Sequence, residues 1–208
     1  MKRLSLGCLI LVAMLASLEG TPEVRPKSVR SDKPTRLKAG CLYHLARLTT
    51  WPNAPVSDPK SPILCGIVGE NPEEFIRDFE SAMETPTTQE RQLVVRRFPA
   101  SSTKGVELEW IDEIRKCHLL FVMDTNKRRL EDVLERVRGD PILTVGESED
   151  FVAAGGMVAF IVQEGRVAIQ VDLEALEEAK LKVSSMFLRH STILEKQEEN
   201  SFRIRTRS

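Results

Sequence analysis

The stretch of sequence that decides the fold is Ile63-Leu64-Cys65-Gly66-Ile67-Val68-Gly69. Its short, continuous apolar run is typical of a strand that is buried on both faces of a sheet. A helix signal follows at once, because Asn71 can cap a helix and Pro72 fits its first turn. The two glutamates that come next favour the positive end of a helix dipole. The segment therefore predicts a buried strand that leads directly into a helix.

This alternation of strand and helix continues along the chain. Apolar spacing predicts helices over 37–50, 71–83, 108–115, 130–137, 149–154 and 173–194. Apolar runs predict strands over 63–68, 92–98, 118–123, 142–145, 157–162 and 166–171. The last two strands flank a short turn and should form an antiparallel hairpin. Together these elements predict an α/β fold: a mostly parallel sheet with helices on both faces, ending in an antiparallel hairpin and a C-terminal helix.

The first twenty residues have the pattern of a secretory signal peptide. Lys2 and Arg3 precede an uncharged apolar run over 4–18, with small residues such as Ala16 near its end and Gly20 just after it. This run is shorter than a membrane-spanning helix, and no second long apolar run follows it. We therefore predict export to the periplasm, with an uncleaved membrane anchor as the alternative.

The rest of the chain suits one domain. Residues 21–35 contain three prolines without apolar periodicity, which predicts a flexible lead-in, and residues 36–194 form the predicted α/β domain. Residues 195–208 have glutamates followed by arginines and predict a charged, frayed tail. The formal net charge of −1 argues against binding to nucleic acid.

Three cysteines remain after the predicted signal peptide: Cys41, Cys65 and Cys117. Two of them should pair in an oxidising compartment. Cys65 and Cys117 lie on predicted strands, and neighbouring strands can bring their Cα atoms close enough for a disulfide. This pair is therefore favoured, and three reduced, buried cysteines are the alternative.

Signatures of catalysis are missing from the sequence. It contains no glycine-rich phosphate loop, no G-x-S-x-G motif and no H-E-x-x-H motif. The three histidines, His44, His118 and His190, lie on different predicted elements without metal-ligand spacing. We therefore predict no enzyme activity, no cofactor and no metal site.

Two segments are candidates for contacts with a partner or ligand. Tyr43, Arg47 and Trp51 are spaced to share one face of the first helix, although core packing would explain them equally well.

The second candidate segment begins at Gly155 and Gly156 and continues through Met157 to Phe160. Consecutive glycines permit backbone angles and close approaches that other residues forbid. They indicate either a tight turn between a helix and a strand or a backbone surface that contacts a partner.

In their order and spacing, several segments resemble the YfiR-type family of bacterial periplasmic regulators. The resemblance covers about residues 37–190. The matching segments are Lys38-Ala39-Gly40-Cys41-Leu42-Tyr43-His44-Leu45-Ala46-Arg47 with Trp51-Pro52, Ile63 to Gly69, Cys117-His118-Leu119-Leu120-Phe121-Val122, Pro141-Ile142-Leu143-Thr144-Val145, Gly155-Gly156-Met157-Val158-Ala159-Phe160 and Leu181-Lys182-Val183-Ser184-Ser185.

The resemblance implies a protein that represses a membrane diguanylate cyclase through its periplasmic part, which modulates cyclic-di-GMP. It also implies sequestration by an outer-membrane lipoprotein, a tendency to form homodimers and a disulfide that falls on Cys65 and Cys117. The sequence departs from the family pattern at Cys41, His44, Leu45, Leu48, Ala159 and Asp172.

The leading functional prediction is thus a periplasmic regulator that binds the sensory part of a membrane signalling protein, either a diguanylate cyclase or a sensor kinase. The alternative is a small-molecule binding module that uses the crevice at the carboxyl ends of the parallel strands.

Overall fold

The structure is a computed structural model, and it describes residues 33–52, 61–69, 72–83, 91–99, 108–123, 127–163, 166–196 and 202–205. The predicted signal peptide and most of the predicted lead-in lie outside these residues. Within the described residues, no helix combines the length and the apolar character needed to cross a membrane.

Helices and strands alternate over most of the described chain. The helices are α1 (Lys33–Arg47), α2 (Glu73–Met83), α3 (Leu108–Ile114), α4 (Lys127–Arg136), α5 (Asp150–Ala153), α6 (Leu173–Glu178) and α7 (Ser185–Leu188). The strands are β1 (Thr49–Thr50), β2 (Ile63–Gly69), β3 (Leu93–Pro99), β4 (Leu119–Val122), β5 (Leu143–Gly146), β6 (Val158–Gln163), β7 (Arg166–Asp172), β8 (Lys182–Val183), β9 (Thr192–Lys196) and β10 (Phe202–Arg205).

One large sheet contains all of these strands except β1 and β8. Its strand order is β10-β9-β7-β6-β5-β4-β2-β3. The strands from β3 to β6 are mutually parallel, β6 and β7 form an antiparallel hairpin, and β9 returns parallel to β7. The predicted α/β class with a mostly parallel sheet is therefore confirmed.

Helices cover both faces of the sheet. Side chains alternate along each strand, so successive residues of a buried strand pack against helices on opposite faces. On β4, Leu119 and Phe121 pack with α1, α2, α6 and α7, and we call this side face A. Leu120 and Val122 pack with α3, α4 and α5 on the opposite side, face B. The Phe121 ring stacks on Phe75 of α2 with the ring centroids 4.4 Å apart. The core is thus divided into two apolar layers by the sheet.

The C-terminal helix predicted over 173–194 is wrong as a single element. Asp172 caps α6 by accepting a hydrogen bond from Ala175 N at 3.0 Å, and the helix ends at Glu178. Lys180 then takes a left-handed conformation with φ of 57°, which a continuous helix does not allow. The apolar spacing that predicted the helix still marks burial, since Leu176 and Phe187 both pack on face A from separate short helices.

The first helix also differs from its prediction, which began at residue 37 and ran to residue 50. It begins at Lys33, inside the predicted lead-in, and ends at Arg47. Thr49 and Thr50 instead form β1, which pairs antiparallel with β8. The Thr49 hydroxyl donates to Leu45 O at 2.7 Å, and a β-branched threonine fits a strand better than a helix.

The predicted frayed tail contains regular structure as well. Strand β9 extends into it as far as Lys196, and β10 lies entirely within it. The two strands pair antiparallel, with Arg203 opposite Glu195. The β9–β10 hairpin, which begins just before this segment and ends within it, therefore widens the main sheet.

Candidate functional site

Tyr43 and Arg47 form a pair on the last turns of α1. The guanidinium carbon of Arg47 lies 5.2 Å from the centroid of the Tyr43 ring, within the range of a cation–π interaction. His44 packs edge-on against the same ring, with the centroids 5.4 Å apart. Both Tyr43 and Arg47 are half-buried, so one side of the pair remains open to solvent. The structure thus brings these two predicted contact residues together.

Trp51 does not join that pair. Because α1 ends at Arg47 and the chain turns into β1, Trp51 enters the core of face A and is only 7% exposed. Its indole Nε1 donates to His118 O at 2.9 Å, and its ring meets the His118 ring edge-on. The prediction that Trp51 shares one helix face with Tyr43 and Arg47 is wrong, and its burial agrees with core packing, the alternative that the sequence left open.

His118 connects the amino ends of three strands, a role that the sequence did not reveal. Its backbone N–H donates to Leu64 O, its ring Nδ1 accepts from Leu64 N, and its carbonyl accepts from Leu143 N, each at 2.9 Å. Burial lowers the pKa of His118, and the positive charge of Arg91 lowers it further. Nδ1 must carry no proton in this arrangement, because it accepts the hydrogen bond that Leu64 N–H donates. These partners are far apart in sequence, so no local spacing could have predicted them.

The cysteines lie on different sides of the sheet. Cys65 points into face A, whereas Cys117 belongs to the core of face B. All three described cysteines are free thiols in this structure. Burial raises the pKa of Cys65 well above its ordinary value and that of Cys117 to about 11. A disulfide between Cys65 and Cys117 would require one side chain to cross the sheet. The pairing therefore stays a prediction without support from this geometry, and peptide mapping without reduction decides it.

The double glycine forms a tight turn between α5 and β6. Gly155 has a φ of 100°, and a Cβ on Gly156 would lie 2.1 Å from a ring carbon of Phe151. Met157 and Phe160 are buried in face A. In this structure neither side chain is accessible to a partner, and the turn accounts for both glycines.

A cleft lies at the carboxyl ends of β4, β5 and β6, where ligands bind in open α/β sheets. Its volume is about 360 Å³, and its lining residues are Lys38, Val122, Met123, Leu130, Glu147, Ser148, Phe151, Ile161 and Val162. The Lys38 ammonium is paired with the Glu147 carboxylate, and both side chains are largely buried. The cleft is therefore apolar along its walls, with one ion pair at the rim of the sheet.

The sequence predicted a crevice at this edge but not the ion pair. Lys38 and Glu147 are 109 residues apart and lie on α1 and after β5. Only the packing of α1 on the sheet brings them together. Among the described residues, no three histidine, cysteine, aspartate or glutamate side chains are grouped as metal ligands.

Comparisons with known proteins agree with this architecture. Among solved structures, the ABC domain from Streptococcus pneumonia in complex with L-Trp matches with a TM-score of 0.55 and 12% sequence identity. The match covers 74% of this chain and 59% of that one, so this chain spans little more than half of its length. At such low identity the similarity shows the fold alone. A search of curated proteins found no match.

A comparison with protein families gives the clearest result. The sequence profile of the YfiR/HmsC-like family matches residues 35–192, from the first turn of α1 to the first residue of β9. The family consists of periplasmic regulators of diguanylate cyclase signalling rather than enzymes. The match covers most of the chain and nearly every element around the cleft and the Tyr43–Arg47 pair. The chain therefore belongs to the YfiR/HmsC-like family.

Proposed function

We propose that this chain represses a membrane diguanylate cyclase by binding the sensory part of that enzyme in the periplasm. The family match over residues 35–192 carries the proposal. The half-buried Tyr43–Arg47 pair on α1 supports a binding role, because it presents an aromatic ring and a guanidinium together. Repression would lower the cellular concentration of cyclic-di-GMP.

The Tyr43–Arg47 pair is the proposed contact surface on α1. Tyrosine and arginine are enriched among residues that dominate protein interfaces. The Arg47 guanidinium lies over the Tyr43 ring, so little side-chain freedom is lost when a partner binds. Trp51 is excluded from this surface because it is buried.

The test is a complementation experiment in cells that lack the gene. Deletion should raise cyclic-di-GMP, wild-type protein should restore the low level, and a Tyr43→Ala and Arg47→Ala double variant should not. Arg77→Ala is the matched control, because Arg77 is an exposed arginine on α2. Because Tyr43 also packs against the core of face A, the double variant should melt at a lower temperature, and circular dichroism must show that it is still folded at the temperature of the assay. Full complementation by the double variant would reject this surface, and unchanged cyclic-di-GMP after deletion would reject the function.

We also propose that residues 1–20 direct export to the periplasm and are then removed. The charged start and the short apolar run support this proposal. Mass spectrometry of the exported protein should find an amino terminus near residue 17 or residue 21. An exported chain that retains Met1 would show an uncleaved anchor instead.

Small-molecule binding is the second candidate function, and the cleft at the carboxyl edge favours it. A volume of about 360 Å³ is sufficient for a compact ligand, and the walls are mostly apolar. The solved structure with a similar fold was determined with L-Trp, so amino acids are reasonable first probes. Calorimetry with a panel of amino acids should show binding that Val162→Glu abolishes. An absence of heat across the panel would count against amino-acid ligands.

A further inference from the structure

The β9–β10 hairpin adds a feature beyond the part of the chain that defines the family. The family profile ends at residue 192, and β9 begins at Thr192. The family match therefore includes only the first residue of β9 and none of β10. It also makes β10 one of the two outer strands of the main sheet, opposite β3.

The β3 edge is protected against further strands. Arg96 is paired with Glu113 of α3, and an Arg97 nitrogen lies 3.7 Å from a Glu73 oxygen of α2. Pro99 ends the strand and has no N–H group to donate. Paired charges and proline are common means by which proteins prevent pairing at a sheet edge.

The β10 edge has a different character. Within the described residues, β10 pairs with β9 and with no other strand. Half of the backbone N–H and C=O groups of an outer strand point away from its neighbour and can receive another strand. The sequence of residues 201–208, Ser-Phe-Arg-Ile-Arg-Thr-Arg-Ser, contains three arginines and no acidic residue.

The register also matters for the charge at this edge. Arg203 lies opposite Glu195 on β9, but Arg205 lies opposite Ile193. Within the hairpin, then, only one of these two arginines has an acidic residue as its cross-strand partner. An acidic segment would complement the positive charge that the sequence of β10 brings to this edge of the sheet.

We propose that β10 binds an extended, acidic segment of another protein, which joins the sheet as an additional strand. Backbone hydrogen bonds would provide most of the affinity, and the arginines would select acidic sequences. This inference goes beyond the proposed function, because it concerns residues outside the family match. The opposite role for the arginines is to keep strands away, since charged residues on an outer strand also prevent self-association.

The test uses the mature protein and a synthetic peptide in which glutamate alternates with valine. Fluorescence anisotropy should show binding by the wild type at low salt, weakening as salt is added. An Arg203→Glu and Arg205→Glu variant should bind at least about tenfold more weakly, because attraction becomes repulsion at two positions. The matched Arg203→Lys and Arg205→Lys variant should bind almost normally. A peptide with a central proline should lose binding, because it cannot continue the ladder.

Amide hydrogen exchange distinguishes a peptide that pairs with β10 as a strand from one that is held by charge attraction alone. Amides of residues 202–205 should become protected when the peptide binds. Equal binding by the wild type and by a chain truncated after Lys196 would overturn the proposal, and so would binding without protection of these amides. Failure of the wild type to bind the peptide, with self-association when both arginines become serine, would show that the arginines keep strands away.

Discussion

The two ends of the parallel strands are constructed differently. At the amino ends, hydrogen bonds join His118 to both Trp51 and Leu64. At the carboxyl ends lie a cleft and the ion pair between Lys38 and Glu147. Helix α1 reaches both ends, since it contains Lys38 and is followed shortly by Trp51. One end of the sheet therefore provides stability, whereas the other remains accessible.

The largest expected effect comes from removing Trp51 at the amino ends. Trp51→Ala removes a large buried ring and should lower the free energy of unfolding by about 3–5 kcal/mol. Trp51→Phe is the matched control. It keeps most of the buried area, and His118 O retains the hydrogen bond from Leu143, so the loss should be about 1 kcal/mol. Urea denaturation measures both values. Similar small losses for both variants would show that Trp51 does not hold this end together.

Gly156 provides the next largest effect at the same end. A Cβ at this position would overlap the Phe151 ring, so Gly156→Ala should cost about 1–3 kcal/mol through overpacking. Gly40→Ala is the control, because nothing lies within 4 Å of a Cβ there and the residue is inside α1. That change should be stabilising, since alanine favours a helix more than glycine does. Thermal melting of both variants tests the contrast, and equal melting temperatures would contradict it.

The pH dependence of stability tests the role of His118. Its pKa is lower in the folded protein than its ordinary value of 6.5, so the unfolded chain binds more protons as pH falls below 6.5. The contribution of His118 to stability is therefore complete above this pH and is lost as pH decreases toward the folded pKa. Unfolding free energies measured from pH 8 to pH 5 should show this decrease.

His118→Gln is the control, because glutamine does not titrate and its side-chain oxygen can accept the hydrogen bond from Leu64 N. The variant should lose the part of the pH slope that begins near 6.5. The carboxylates and the other histidines contribute equally to both proteins, so the difference between the two curves isolates His118. Identical slopes would show that the ring does not lose stability on protonation.

The contrast between the two ends also explains what the sequence could predict. Continuous apolar runs such as 119–122 marked the buried strands correctly, because both faces of the sheet are covered. The C-terminal region failed because apolar spacing near Leu176 and Phe187 matched one helix, whereas the left-handed Lys180 divides it. Apolar spacing reports which residues are buried, but it does not report whether the backbone between them is continuous.

The cysteine pair shows a second limit of sequence patterns. Cys65 is in register with Leu119, and Cys117 lies two residues before Leu119, so strand alternation would place Cys117 on the same face as Cys65. Cys117 precedes β4, however, and its backbone N–H donates to Ile114 O in the turn after α3. That turn directs its side chain to face B. Counting along a strand fails where the strand has not yet begun.

The smallest expected effect concerns the ion pair at the carboxyl ends, and a double-mutant cycle measures it. Lys38→Met leaves the Glu147 carboxylate without its ammonium partner, and Glu147→Gln leaves Lys38 without its carboxylate. Each single change should cost about 1 kcal/mol, because both side chains are largely removed from water. The double variant should cost less than the sum, with a coupling energy of about 0.5–1 kcal/mol.

The same variants show whether the ion pair affects only the carboxyl ends of the strands. Loss of the pair should leave the pH slope of His118 unchanged, since the two groups lie at opposite ends of the strands. It should change any ligand binding in the cleft, because the ion pair provides the charged groups there. Full additivity of the two single variants would show that Lys38 and Glu147 do not interact in solution. A changed pH slope would instead connect the two ends, because α1 would then transmit the loss of Lys38 to Trp51 and through it to His118.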